Sequence, residues 1–421
     1  MKLLRALIGA LFLALLLLLA GVATILWLAL DSAPTVDDAR ALSPDTAGRA
    51  LKQLSRQNPR RMKAGSEQTL TLRGDELDAL VREASRQLRF ARASTRLSEG
   101  VVDLSLSQPL PLGRWINVGA HVTRGDDALP SLQALSVGSL QVPAPLARWM
   151  IGRIAGKVLP RVGIPLDPRR LMDTVRSFDV TPDRLAITYT WEPALWEEGA
   201  RALLPPGEHE RLGVYHEKLL TIVVGMVKRE ERDLMQALAP LFALAVERSR
   251  TGDAVAEQRS ALLALSLFVN GRTPGDLLPE ASDWLRAPPL ALTLNGRDDL
   301  TQHFVGSAVL ALFAGTQWAD ALGLSKEMSD ARGGSGFSFT DLLADRAGTR
   351  LGEQIASGRG DVAARVAGGL TDRDVLPPID GLAEFLPEAE FRRRYGGVGE
   401  PAYQAVIDDI EARLASLALY R

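Results

Sequence analysis

Residues 101–122 read VVDLSLSQPLPLGRWINVGAHV, and their pattern decides the fold class. Val101 to Ser107 alternates apolar and polar side chains with a period near two, as a half-buried strand does. Trp115 to Val122 repeats the pattern, and Leu135 to Val142 is a third strand candidate. Gly100, Gly113 and Gly125-Asp126-Asp127 mark the turns between them. Upstream, Gln68 to Leu72 also alternates. Gly74-Asp75 then opens a helix carrying Leu77, Leu80, Val81, Ala84 and Leu88 at helical spacing. Downstream, Pro143-Ala144-Pro145 opens a helix through Lys157, and Arg184 to Trp191 is a closing strand. Residues 67–192 are therefore expected to form one α+β domain around an antiparallel sheet.

From Pro193 onward the period changes from two to 3.6. Helices are expected over 211–228, 232–248 and 254–269. A Gly- and Pro-rich loop follows over 270–289, then helical segments near 300–314, 339–355 and 403–417. Residues 193–421 read as a mainly helical domain. The apolar runs 219–227 and 234–246 are too short to span a bilayer and read as core helices.

Residues 6–30 carry no charge over 25 positions, where roughly 20 suffice to cross a bilayer core. Lys2 and Arg5 precede this run, and Asp31, Asp37 and Asp38 follow it. The positive-inside rule therefore places the body outside. The expectation is an anchor over 1–32, a polar helical stalk over 33–66, and a body in the periplasm of a bacterial inner membrane. A signal peptide cleaved near Ala29 is the alternative. The high Ala, Arg and Leu content suggests a GC-rich bacterial genome.

The chain has 421 residues, 46% hydrophobic and 24% charged, as a packed globular protein does. A net charge of −2, with no basic stripe, argues against a nucleic-acid partner. The lack of cysteine excludes disulfides, thiol nucleophiles and thiolate metal sites. Imidazole chemistry is confined to His121, His209, His216 and His303. His209 and His216 share a helix face, but no metalloprotease-type His pair is present.

Residues 298–353 are densest in reactive groups. Asp299 precedes His303 by one helical turn. Glu327 and Asp330 share one face, as do Asp341 and Asp345. If their helices pack together, these carboxylates and the imidazole converge. His303, Glu327, Asp330, Asp341 and Asp345 would then supply general acid and base. Asp299, His303, Glu327, Asp330 and Asp345 would hold a divalent cation. A structural role is open too: Asp341 as a helix cap, Asp345 facing solvent, Gly348 and Gly352 as close-packing positions, and His303 as a core histidine.

The pattern Asp299, His303-Phe304, Glu327, Ser338, Asp341-Leu342, Ala344-Asp345 and Gly348 resembles a motif of the VanZ-like family and the YfiM-type periplasmic lipoproteins. It covers about 55 residues and implies a site rather than a reaction. Unlike VanZ-like proteins, this chain flanks the motif with helices too charged to span a membrane. Unlike the YfiM type, it has no lipidated cysteine. In residues 67–192, Leu70-Thr71-Leu72, Asp75-Glu76-Leu77, Glu99-Gly100 and Val137 to Pro143 resemble the extracytoplasmic part of YpmS-like membrane-anchored proteins. That likeness implies a curved sheet against a helix, with a groove for an acyl chain.

The function expected from these readings is the binding or handling of envelope lipids or glycans. A metal-assisted hydrolase is the first alternative, and a scaffold docking an envelope protein partner is the second. No cofactor is indicated.

Overall fold

The computed structural model describes residues 27–37, 42–56, 62–87, 92–149, 153, 168–195, 207–358 and 361–420. Most of the expected anchor lies outside these residues, as does the stalk segment Asn58-Pro59-Arg60-Arg61. Among the described residues, no helix is long and apolar enough to cross a membrane. The chain is an α+β protein that divides into two compact units. One comprises residues 1–40 and 50–196, the other 41–49 and 197–421.

The first unit contains two antiparallel sheets, where the sequence suggested one. The larger runs β2 (Arg92–Ser98), β3 (Val101–Pro109), β4 (Trp115–Arg124), β5 (Pro130–Val137) and β6 (Leu140–Val142), in that order. The smaller has order β1 (Glu67–Arg73), β8 (Arg184–Thr190), β7 (Val175–Val180). A helix, Gly74–Gln87, packs on β2. Leu97, Phe178, Val180 and Leu185 bury together, with Leu77, Val102, Val122 and Ile187 against them. The third strand candidate is in fact the end of β5, a turn at Gly138, and β6.

Among the described residues of the stalk, the helix runs from Pro44 to Arg56. Before it, the chain is lashed to the sheet. Asp31 and Trp115 exchange backbone hydrogen bonds of 2.9 Å. Ser107 Oγ accepts from the Thr35 and Val36 amides, each at 3.1 Å. Asn117 Nδ2 donates to Asp31 Oδ2 at 2.7 Å and to the Ala33 carbonyl at 3.0 Å. Ser107 is fully buried and Asn117 nearly so, and these bonds satisfy their polar groups. Ser139 donates from both N and Oγ to the Leu28 carbonyl. Its neighbour Gly138 has φ +57°, and a Cβ there would lie 2.5 Å from the Leu28 oxygen. Only glycine fits that turn and that approach.

The second unit is helical: α1 (Glu208–Arg229), α2 (Leu234–Arg248), α3 (Ala254–Val269), α4 (Asp298–Ala314), α5 (Thr316–Gly333), α6 (Phe339–Ser357) and α7 (Pro401–Ser416), with short helices between α6 and α7. Apolar residues at helical spacing converge in one core that includes Leu212, Tyr215, Leu238, Phe242, Leu262, Phe304 and Leu351. The apolar runs at 219–227 and 234–246 lie within α1 and α2. The second continues straight through Pro240.

Helices α4 and α6 approach closely. A Cβ on Gly348 would lie 2.0 Å from the Phe304 carbonyl oxygen, and one on Gly352 would lie 2.3 Å from that of Ala308. The two glycines let the backbones meet. This contact sets the spacing between His303 on α4 and Asp341 and Asp345 on α6.

Candidate functional site

Three helices deliver the site. His303 comes from the first turns of α4, Glu327 from α5, and Asp341 and Asp345 from α6. Asp341 and Asp345 are one turn apart, so both face His303. His303 Nδ1 lies 3.0 Å from Asp345 Oδ1, and Nε2 lies 3.3 Å from Asp341 Oδ2. Ser307, one turn after His303, donates to Asp345 Oδ1 at 2.7 Å. Ser338 caps α6: its Oγ accepts from the Asp341 amide at 3.2 Å. Its own amide donates to Glu327 Oε2 at 2.9 Å. Ser338, rather than Asp341, is therefore the cap, and it ties α5 to the start of α6. Ligand atoms of His303, Glu327 and Asp345, all three buried, lie within 4.8 Å of one another.

Lys326 approaches the cluster from the surface. Its Nζ is 3.0 Å from His303 Nε2, 3.0 Å from Asp330 Oδ2 and 3.4 Å from Glu327 Oε1. Its side chain is 52% exposed, whereas Glu327 is 0% exposed. The ammonium thus reaches in from solvent and sits between acidic groups.

The electrostatics follow from crowding carboxylates in a shielded place. Burial alone would depress the His303 imidazole, but Asp341 and Asp345 outweigh it and hold its pKa up at about 10. Burial, aided by Asp341, lifts Glu327 to about 7 against the pull of Lys326. Lys326 is raised despite its own burial, through Glu327 and Asp330. His303 Nε2 has two partners suited to two protonation states. The imidazolium donates to Asp341, while only the neutral ring accepts from Lys326.

Buried carboxylates elsewhere in this unit are matched by arginine. Glu208 meets Arg259 at 2.9 Å, and Glu257 meets Arg248 at 2.7 Å. Asp345 has no such partner among the described residues. Asp345 Oδ2 and Asp341 Oδ1 are buried without a hydrogen bond. Arg297 lies 3.7 Å from Asp341 Oδ1, beyond hydrogen-bond reach. Such oxygens are costly unless something binds them. A Cβ on Gly323 would lie 2.6 Å from Asp345 Oδ2, so glycine on α5 makes room for that carboxylate.

Of the residues singled out from sequence, His303, Glu327, Asp341 and Asp345 come together. Asp330 reaches the group only through Lys326. Asp299 does not join it as a ligand: both its oxygens are held by Arg297, at 3.0 and 2.6 Å. The Arg297 hydrogen bonds pull the Asp299 carboxyl below its usual range. Arg297 also bonds Glu384, which accepts from Thr340 as well. This brace beside Asp341 gave no sequence signal, because Glu384 is far along the chain. Lys326 was legible in principle, one turn before Asp330. His209 and His216 both pack on Trp284, with ring centroids 5.8 and 5.6 Å away. His216 Nε2 also lies 2.7 Å from the Leu285 carbonyl, so both histidines have packing roles.

The two raised pKa values carry one sign. Glu327 and His303 each hold a proton in the folded chain that the unfolded chain has already released. Stability from Glu327 is complete below its ordinary 4.5 and lost as pH rises through about 7. That from His303 is complete below 6.5 and lost through about 10. Glu327→Gln keeps an acceptor for the Ser338 amide and removes the titration. We expect its stability relative to wild type to rise between pH 4.5 and 7, measured by denaturant unfolding at each pH. A difference that stays flat across that window would show that Glu327 ionises normally.

No family model, no curated protein and no solved structure matches the chain.

Proposed function

We propose that the protein is a hydrolase held in a bacterial inner membrane by its N-terminal helix. Its body lies in the periplasm, and His303, Glu327, Asp341 and Asp345 form a cation-assisted centre acting on an envelope lipid or glycan. The observation that carries this reading is the convergence of His303, Glu327 and Asp345 from three helices, with carboxylate oxygens left unpartnered beside them. A histidine with carboxylate oxygens suits a divalent transition ion. When bound, such an ion supplies an activated water at neutral pH. The resemblance of residues 299–348 to a motif of envelope protein families is in keeping with a site at this place.

The residues divide the work as follows. Asp345 holds Nδ1–H of His303 and so presents Nε2 to the reacting side. Nε2 would then be the ring atom that holds the ion, and Asp341, 3.3 Å from it, would stabilise the ring whenever a proton takes the ion's place. Glu327, with a pKa near neutrality, exchanges a second proton at physiological pH. Lys326 is long and half exposed, so it can swing away to admit a ligand or meet an anionic substrate group.

Lys326 gives a discriminating test, since its ammonium lies where a cation would be drawn. Removing a charge about 3–4 Å from the site should strengthen divalent-ion binding about tenfold or more. We therefore expect Lys326→Met to bind Mn²⁺ or Zn²⁺ more tightly than wild type by calorimetry, and His303→Ala to lose binding. Metal-dependent release of phosphate or sugar from envelope lipids and glycans should vanish in His303→Ala. If neither wild type nor Lys326→Met retains an ion, the cation-assisted reading fails. Reporter fusions at Arg421 test the placement: active alkaline phosphatase is expected, and a fluorescent cytoplasmic reporter would overturn it.

A further inference from the structure

A pocket lined by none of the His303-centre residues lies in the same helical unit. It has a volume of about 390 Å³ and opens between α1, α3 and the loops that follow α3. Its floor is Leu219 and Ala264, 1% and 2% exposed. Leu220, Leu267, Phe268 and Leu290 form half-buried walls. No Asp or Glu lines it. Arg272 and Arg286 do line it, and both are exposed. Among the described residues neither guanidinium has an ion pair or a side-chain hydrogen bond, whereas Arg248, Arg259 and Arg297 each hold a carboxylate.

The apolar character continues beyond the pocket. Val224 and Val227 follow Leu220 at spacings of four and seven on α1, and each is 42% exposed. One helix face therefore carries an unpartnered apolar strip about 10 Å long, at about 1.5 Å per residue. Leu285, next to Arg286, is 79% exposed. The His216 contact to the Leu285 carbonyl fixes the loop that carries both.

We infer that this pocket binds a single-chain anionic amphiphile, its acyl chain against Leu220, Phe268 and Leu290 and its carboxylate or phosphate head between Arg272 and Arg286. Apolar walls with a few convergent polar groups are what a small-molecule site requires. Two guanidiniums in a lining that holds no carboxylate favour an anionic head, because an arginine fork matches a carboxylate or phosphate. The volume is near the low end of the roughly 300–1,000 Å³ typical of ligand pockets, which suits one chain rather than two. This inference does not rest on the His303 centre.

The test uses the full chain in phosphatidylcholine vesicles, with a photoreactive diazirine analogue of palmitate and peptide mapping of the adduct. Labelling is expected within residues 216–220, 264–274 and 286–291. Palmitate should compete and hexadecanol, which lacks the charge, should not. Lysophosphatidate is the second arm: which of it and palmitate competes better assigns the head group. Arg272→Gln with Arg286→Gln should weaken capture at least about tenfold, one charge-assisted contact being worth that much. Leu220→Trp should block it at unchanged melting temperature, and His303→Ala should leave it unaltered. Labelling scattered over other segments, equal competition by hexadecanol, an indifferent double-arginine variant, or preferential competition by two-chain phosphatidylglycerol would each overturn the inference.

Discussion

Replacing Asp345 by Ala is expected to destabilise the helical unit by about 3 kcal/mol and to lower the His303 pKa well below about 10. Asp345 Oδ1 is the acceptor for both His303 Nδ1 and Ser307 Oγ. Its removal strands two buried donors and leaves the imidazolium facing Asp341 alone. Breaking a buried pair costs roughly 3–5 kcal/mol. Relief of repulsion against Glu327 and Asp341 offsets part of that, which places the result at the low end. Asp345→Asn keeps an acceptor for both donors and loses only the charge. It should therefore cost less while lowering the histidine pKa in the same direction. The chain has only four histidines, so imidazole NMR can follow His303 directly, and chemical unfolding reports stability. An Asp345→Ala protein with wild-type stability and an unshifted His303 titration would show that the pair does not form.

Gly348→Ala should destabilise the same unit, although it exchanges a poor helix former for the best one. Propensity favours alanine by about 1 kcal/mol. Against that, the new methyl would lie 2.0 Å from the Phe304 oxygen and 3.1 Å from the Ala308 amide nitrogen, both backbone atoms that cannot rotate away. Overpacking of this kind costs about 1–3 kcal/mol or more, and α4 must shift to relieve it. Movement of α4 carries His303 away from Asp345, so ion binding should fall with stability. Gly352→Ala should behave alike, with its methyl 2.3 Å from the Ala308 oxygen. Gly306→Ala, on α4 itself, is the control. Nothing lies within 4 Å of its added Cβ, so it should stabilise by about 0.5–1 kcal/mol. Melting curves of the three variants give the comparison. Equal shifts at Gly306 and Gly348 would mean that α4 and α6 do not meet as closely as described.

Strong periodicity made much of the architecture legible. The helices around Leu219, Phe242, Leu262, Phe304 and Leu351 carry apolar residues at spacings that only a helix can bury together. The strands from Val101 to Val122 alternate cleanly. The missed elements are those without such a pattern. Strand β2, RASTRLS, offers only Ala93 and Leu97 as buried apolar residues. Helix α5 was legible only around Glu327 and Asp330, since Gly323, Ser325, Lys326 and Glu327 leave it no continuous apolar stripe. The stalk reads as a polar helix from its start. Thr35 to Asp37 are instead non-helical, because Ser107 and Asn117 hold the Thr35 amide from a sheet some seventy to eighty positions away. Within the site, spacing correctly paired Asp341 with Asp345 on one face. It misplaced Asp299, because Arg297 just upstream captures that carboxylate. Distance along the chain also hid the role of Ser338, which depends on α5 folding back against the start of α6.

The lashing of residues 28–36 onto β3, β4 and the β5–β6 turn has a mechanical consequence. With the anchoring proposed above, the first domain has no swivel between its sheet and the bilayer. A pull or tilt applied at the embedded end passes through Asp31, Asn117 and Trp115 straight into the strands, rather than being absorbed by a slack tether. Cutting that connection with Asn117→Ala and Ser107→Ala should let the domain tumble like a kite on a string, visible as a loss of anisotropy of a fluorophore on a single cysteine introduced into that domain, the chain having none of its own.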